Sequence, residues 1–264
     1  MLYRPLWVVG SGYTLGVVGE RFRVEVRSGA RAFEVAARRT YCVVLDGEGS
    51  LSSSAIGLAR KYGVPLVLVN GLDVEGFTWI SHGKSVEPLI YQVQAHLNVR
   101  EHFSRIFLES LREGFRGKLQ VELEGGLSEV RSAISRVIAE RWGSSSKAKA
   151  DYARTLLAAI CWAALYRAGL NPDVGFLHDK LCFDLACEFE HIVVLEALKA
   201  PDLEGAELRR AVAKLVDSSL QATIQRATLS SRPHSLLWHV NAQARSLAST
   251  LRSGLFSYKP FREG

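Results

Sequence analysis

Near residue 80 the hydrophobic pattern of this chain changes period, and that change limits the fold more than any other feature. Upstream, Phe22-Arg23-Val24-Glu25-Val26-Arg27 alternates apolar and charged residues, as a strand with one buried face does. Runs at Leu6–Val9, Tyr13–Val18, Ala32–Val35, Tyr41–Leu45 and Pro65–Val69 read as further strands between Gly-containing turns. One helix interrupts them, from about Ser53 to Tyr62, with Ser52 among its capping candidates and Gly63 as its stop. Downstream, Leu89, Val93, Leu97, Phe103, Ile106, Phe107 and Leu111 recur at helical spacing. Further helices are expected over Leu127–Ile138, Ala150–Arg167, Leu181–Ala200, Glu204–Ala227 and Leu236–Leu251. The stretch Leu156 to Tyr166, LLAAICWAALY, is apolar all round, which predicts a central buried helix. The fold class is therefore α+β: a small, mostly antiparallel N-terminal β domain over 1–82, then a larger all-α domain over 83–264.

The bulk numbers narrow the partners. The 264 residues are 48% hydrophobic, enough for a real core. A net charge of +6 and a surplus of Arg over Lys favour a polyanion such as nucleic acid, although Arg richness also follows from genome composition or thermal adaptation. Cys42, Cys161, Cys182 and Cys187 form no disulfide framework, so a reducing cytoplasm is expected. Arg4 and Pro5 break the N-terminal apolar run, and no run approaches the roughly 20 residues of a membrane span. The expectation is a soluble, cytoplasmic protein with no membrane partner.

The polar residues nearest the predicted core cluster between Val174 and His191. His178 ends the apolar step Gly175-Phe176-Leu177. Asp184 and Glu188 follow one helical turn apart, so a continuous helix would place both carboxylates on one face. An imidazole with two carboxylates suits Mg²⁺ or Mn²⁺, which polarises phosphate and activates an oxygen nucleophile. The residues also allow a tetrahedral Zn²⁺ set of His178, Cys182, Cys187 and His191, or a structural His beside solvated acids. His234, Trp238 and His239 start or line a late helix and read as packing.

With these residues in view, the chain resembles the CRISPR-associated endonuclease–integrase of the spacer-acquisition machinery. The most specific match is Ala168-Gly169-Leu170-Asn171-Pro172-Asp173-Val174-Gly175-Phe176-Leu177-His178, close to that family's AGLDP-x-x-GF-[LIV]-H. Leu181 to Phe189 is similar to its SL-x-x-DL-x-[DE]-x-F helix. The stretches from Gly49 to Asn70 and from Ser235 to Phe261 resemble its first helix-and-strand and its last helix and tail. The resemblance implies a β domain that dimerises and a helical domain that handles DNA. It implies metal-dependent cleavage or integration of spacer DNA into the CRISPR repeat, with His178 catalytic. The Mg²⁺ or Mn²⁺ ligands it implies are His178, Asp184 and Glu188. The implied partners are DNA, a second copy of the chain and a small second adaptation protein. Arg131, Arg154, Arg209 and Arg226 are the expected phosphate contacts. The chain also departs from the pattern. Cys187 stands where the family has its main acidic ligand. Gly126 stands where the family Glu falls, with Glu124 and Glu129 nearby. The loop after His178 lacks a Gly-Arg-Pro-Ser stretch. Two functions follow: an active nuclease and integrase, or a catalytically inactive paralogue that binds DNA or scaffolds the assembly.

Overall fold

The computed structural model describes residues 3–26, 32–77, 87–224, 233–254 and 257–263. The expected boundary at 82/83 lies outside the described residues. The α+β division is observed, with strands up to Phe77 and helices from Glu87.

The first region holds two four-stranded sheets. One has the order β1 (Arg4–Val9), β5 (Thr40–Asp46), β7 (Leu66–Asn70), β8 (Asp73–Phe77). The other has the order β4 (Phe33–Ala36), β3 (Arg21–Val26), β2 (Tyr13–Val18), β6 (Gly49–Leu51). The expected antiparallel pairing holds for β2–β3, β3–β4 and β7–β8, while β1–β5, β5–β7 and β2–β6 run parallel. The parallel pairs β1–β5 and β5–β7 fit the sequence of β5, which is buried along its whole length. Helix α1 (Ser53–Tyr62) carries the crossover from β6 to β7. Ser52 caps it by accepting from the Ala55 amide at 3.2 Å, and Gly63 closes it in the left-handed region.

The second region is built round α4 (Ser146–Ala168), buried on nearly all sides by α5 (Leu181–Ala186), α6 (Glu190–Ala197), α7 (Gly205–Gln221) and α8 (Leu236–Ser253). Helices α2 (Glu87–Leu119) and α3 (Leu127–Trp142) flank it. The two regions share one core: Tyr41, Val44, Val67 and Val74 of the first sheet pack with α4. Gly76 on β8 lies so close to Trp162 that a Cβ there would come within 2.1 Å of the indole. Polar contacts also cross the join. Asp46 accepts from the Tyr152 hydroxyl at 2.7 Å and from Arg209 at 3.3 Å, and Lys180 donates to Asp73 at 2.6 Å.

One helix differs from the sequence expectation in a way that decides the site. The predicted helix over Leu181–Ala200 is broken by a turn at 187–189, giving α5 and α6. The apolar pattern runs on through Phe189, so periodicity does not reveal the break. Similarly, α7 ends at Gln221 and the chain enters a two-residue strand, β9 (Thr223–Ile224), paired with β10 (His234–Ser235).

Candidate functional site

His178 sits on a loop that two elements hold from opposite sides. Helix α4 ends at Gly169, whose φ of +83° favours glycine, and Asn171-Pro172 turns the chain away. From α2, Gln92 donates to the carbonyls of Asn171 and Val174, both at 2.7 Å, and accepts from the Asn171 amide at 2.8 Å. One turn on, a His96 ring nitrogen meets the Gly175 carbonyl at 2.8 Å. Arg100 and Ser104 then donate to the Phe176 carbonyl at 2.8 and 2.7 Å. These four residues recur every four positions along α2, two before and two after the kink at Val99, and all reach the same loop. On the other side, buried Asp184 accepts from the amides of Phe176 (2.6 Å), Leu177 (3.1 Å) and His178 (2.7 Å). Its Oδ1 also lies 2.8 Å from Nδ1 of His178. A carboxylate only accepts, so Nδ1 carries the proton and Nε2 is the ring's acceptor. Gly175 lets the loop close, since a Cβ there would meet the His178 carbonyl at 2.3 Å.

His178 borders a recess of about 530 Å³. Leu72, Leu127 and Phe183 form its apolar wall, and Arg131, Asp151 and Arg154 its polar one. Behind the polar wall lies Glu190, fully buried in the first turn of α6. Nη1 of Arg131 donates to its Oε1, and Nε of Arg154 donates to the same oxygen at 2.7 Å. Arg154 also donates to Asp151 at 2.6 Å, and Nη2 of Arg131 lies 3.9 Å from the Cys187 sulfur. Burial alone would raise the pKa of Glu190, but the guanidinium groups of Arg131 and Arg154 outweigh it and hold the acid down at about 2. Its second oxygen, Oε2, has no hydrogen-bond partner among the described residues.

The expected ligand set is not brought together. Asp184 faces His178 but is committed to the loop amides. Glu188, beyond the break in the helix, faces the C-terminal segment: its carboxylate accepts from the Tyr258 hydroxyl, from Gln243 at 2.8 Å and from the Phe261 amide at 2.7 Å. Cys187 is buried and its thiol pKa is pushed well up by that burial, so it offers no thiolate. Gly126 precedes α3 and carries no ligand, while Glu124 and Glu129 are exposed and do not line the recess. In the polar wall the two carboxylates, Asp151 and Glu190, are already engaged by Arg131 and Arg154. Among the described residues no group of three His, Cys, Asp or Glu side chains is placed to hold a metal. The residues present therefore do not fit Mg²⁺ or Mn²⁺. The Zn²⁺ set fails too: no three of its side chains are gathered among the described residues, and His191 turns its Nε2 toward Glu263 at 3.7 Å.

Of the expected phosphate contacts, Arg131 and Arg154 line the recess but are paired with Glu190. Arg209 pairs with Asp46 at the join, and Arg226 lies outside the described residues. The residues that sequence reasoning missed are Glu190 and the four on α2. The spacing of those four was visible, but Gln, His, Arg and Ser at that spacing also describe a solvated face.

No helix among the described residues is long and apolar enough to cross a membrane. The family described as CRISPR associated protein Cas1 matches residues 148–200, which contain α4, the His178 loop, α5 and α6. A relative from Methanospirillum hungatei, CRISPR-associated endonuclease Cas1 3, is 28% identical over 199 residues. That alignment covers 64% of this chain and 66% of the relative, so the chain spans just under two thirds of its length. Among solved structures, a CAS1 protein from Thermotoga maritima superposes with a TM-score of 0.70 at 16% identity, covering 98% of this chain and 99% of that one. A casposase bound to integration product gives 0.68 at 15% identity, covering 95% and 91%. A Cas6-RT-Cas1–Cas2 complex gives 0.71 at 13% identity, covering 99% of this chain but 36% of that one. At these identities the solved structures speak for the fold.

Proposed function

We propose that this Cas1-like chain is a CRISPR adaptation protein that binds DNA as a non-catalytic, scaffolding subunit. One observation carries the reading: in the His178 recess, Arg131 and Arg154 close on buried Glu190, where a metal-dependent integrase would need carboxylates free for a cation. A divalent ion would supply phosphate polarisation and an activated oxygen. This chain supplies an imidazole, two guanidinium groups and a buried acid already neutralised by them. His178 orders its loop through Asp184, whose carboxylate takes its Nδ1.

The guanidinium edges that Arg131 and Arg154 leave uncommitted, with Arg209 and Arg226, are the proposed phosphate contacts, and none needs a cation. The net charge of +6 supports the same reading. A second copy of the chain and a small second adaptation protein are its proposed partners. A Cas1–Cas2 complex and a casposase bound to integration product share its fold, which is why DNA and such a partner are the ones put forward.

The test is binding to branched and duplex DNA across a salt series. The reading predicts an affinity that falls steeply with salt. It also predicts affinity unchanged by EDTA and within about twofold of wild type in His178→Ala, a change too small to represent a lost phosphate contact. An active integrase using His178, Asp184 and Glu188 predicts binding or turnover that needs Mn²⁺ and is lost in His178→Ala. Absence of DNA binding at low salt overturns the reading altogether.

A further inference from the structure

A separate cavity of about 490 Å³ opens where α4 ends and α8 begins. Trp238 reads as packing in the sequence, yet in the fold its side chain is 41% exposed and lines this cavity. His234 stacks on one indole face, with ring centroids 4.0 Å apart and planes 16° from parallel. His239 meets the indole edge-on at 5.1 Å. The indole is thus held in place before any guest arrives, and Trp238, unlike either histidine, lines the cavity.

The other walls carry complementary chemistry. Arg167 is fixed by a 2.7 Å bond to the Tyr41 carbonyl and lies 5.0 Å from that ring's centroid. Arg245 is exposed and has no ion-pair partner among the described residues. The Gln221 amide nitrogen is buried and has no acceptor among the described residues, a donor that a guest's acceptor would satisfy. Tyr3, half exposed, stands at the rim.

We propose that this cavity binds an unpaired nucleobase together with its neighbouring phosphate. A flat aromatic wall, two cations and an unmet amide donor are the groups that recognise a single base, by stacking, phosphate pairing and an edge hydrogen bond. The base lies on Trp238, its carbonyl or ring-nitrogen acceptor takes the Gln221 N–H, and Arg245 meets the phosphate. The volume suits a guest of that size. The assignment rests on none of the residues of the His178 recess and stands whether or not that recess is catalytic.

The base can come from a free nucleotide or from a strand end, and the test separates the two. The full chain is titrated with dTMP, with dAMP, with a 5′-phosphorylated octathymidylate and with an abasic deoxyribose-phosphate chain of the same length. At least one base-bearing probe binds, and the abasic chain binds at least about tenfold more weakly. Trp238→Ala weakens binding by about 5- to 150-fold, the range for losing one base–aromatic stack, and Trp238→Phe keeps most of it. Arg245→Ala, on an exposed side chain, weakens phosphate-bearing probes without lowering the melting temperature. Binding of dTMP or dAMP assigns a free-nucleotide site, and binding of the octamer alone assigns a strand-end site. The proposal is overturned if no base-bearing probe binds, if the abasic chain binds as well as the octamer, or if folded Trp238→Ala and Arg245→Ala both bind as wild type does.

Discussion

Asp184 and Glu188 stand four residues apart, are both buried, and do opposite things. Asp184 looks into the His178 loop and is saturated by three amides and an imidazole. Glu188 looks the other way and is engaged by Gln243 of α8 and by Tyr258 and Phe261 of the C-terminal segment. Between them the helix breaks, and Glu190 on the far side of the break takes its countercharge from Arg131 and Arg154. The three acids lie within seven residues, and each is neutralised by a different part of the fold. The difference teaches that closeness in sequence is not convergence in space. The oxygens of Asp184 and Glu188 already accept N–H and O–H groups and have little left for a cation, whereas Glu190 is held by its two guanidinium partners through one oxygen.

The contrast can be broken at each acid. Glu190→Ala removes the shared partner of two largely buried guanidinium groups and should destabilise the fold by about 3–5 kcal/mol in urea unfolding. A loss under about 1 kcal/mol would show the network to be a surface pair in effect. Acid tests the same network by titration. Glu190 has its folded pKa lowered to about 2 from the ordinary 4.5. Its contribution to stability is therefore complete above about pH 4.5 and is lost as the pH falls toward 2, on the order of 3 kcal/mol in all. Glu190→Ala should flatten that part of the stability–pH curve, and an unchanged curve would assign the acid loss elsewhere. Asp184→Asn keeps the shape but replaces one accepting oxygen by an NH2 group that faces two N–H donors, so two loop bonds are lost, for about 2–4 kcal/mol. It should also loosen the His178 ring, visible as a change in that imidazole's NMR chemical shifts. Tyr258→Phe removes one of Glu188's donors and should lower stability by about 1.5 kcal/mol, leaving the His178 ring signals untouched. A matching shift from both variants would mean that the two acids share one site after all.

Much of this was legible in the sequence, and what was not has physical reasons. The change of period near residue 80 set the division into sheets and helices. The loop from Ala168 to His178 was found by its motif because Gly169, Asn171-Pro172 and Gly175 each serve a local backbone requirement. The break at 187–189 was hidden because Leu185, Phe189 and Val193 keep helical spacing across it. The role of Glu190 was hidden because its partners lie 59 and 36 residues upstream, and a long-range ion pair leaves no local signature. The charge of Arg131 and Arg154 is plain in the sequence, while the acid they serve is not. Trp238 was assigned to packing because an aromatic at the start of an amphipathic helix usually packs, and only the fold exposes it.

In the proposed function the guanidinium–carboxylate network of the His178 recess stands where an active integrase would hold a cation. The most direct measurement is strand transfer of a short DNA duplex into a repeat-containing target in Mn²⁺, with wild type and His178→Ala side by side. The account predicts no joined product from either protein, at concentrations where both bind the DNA. Joined product from wild type that disappears in His178→Ala would contradict it.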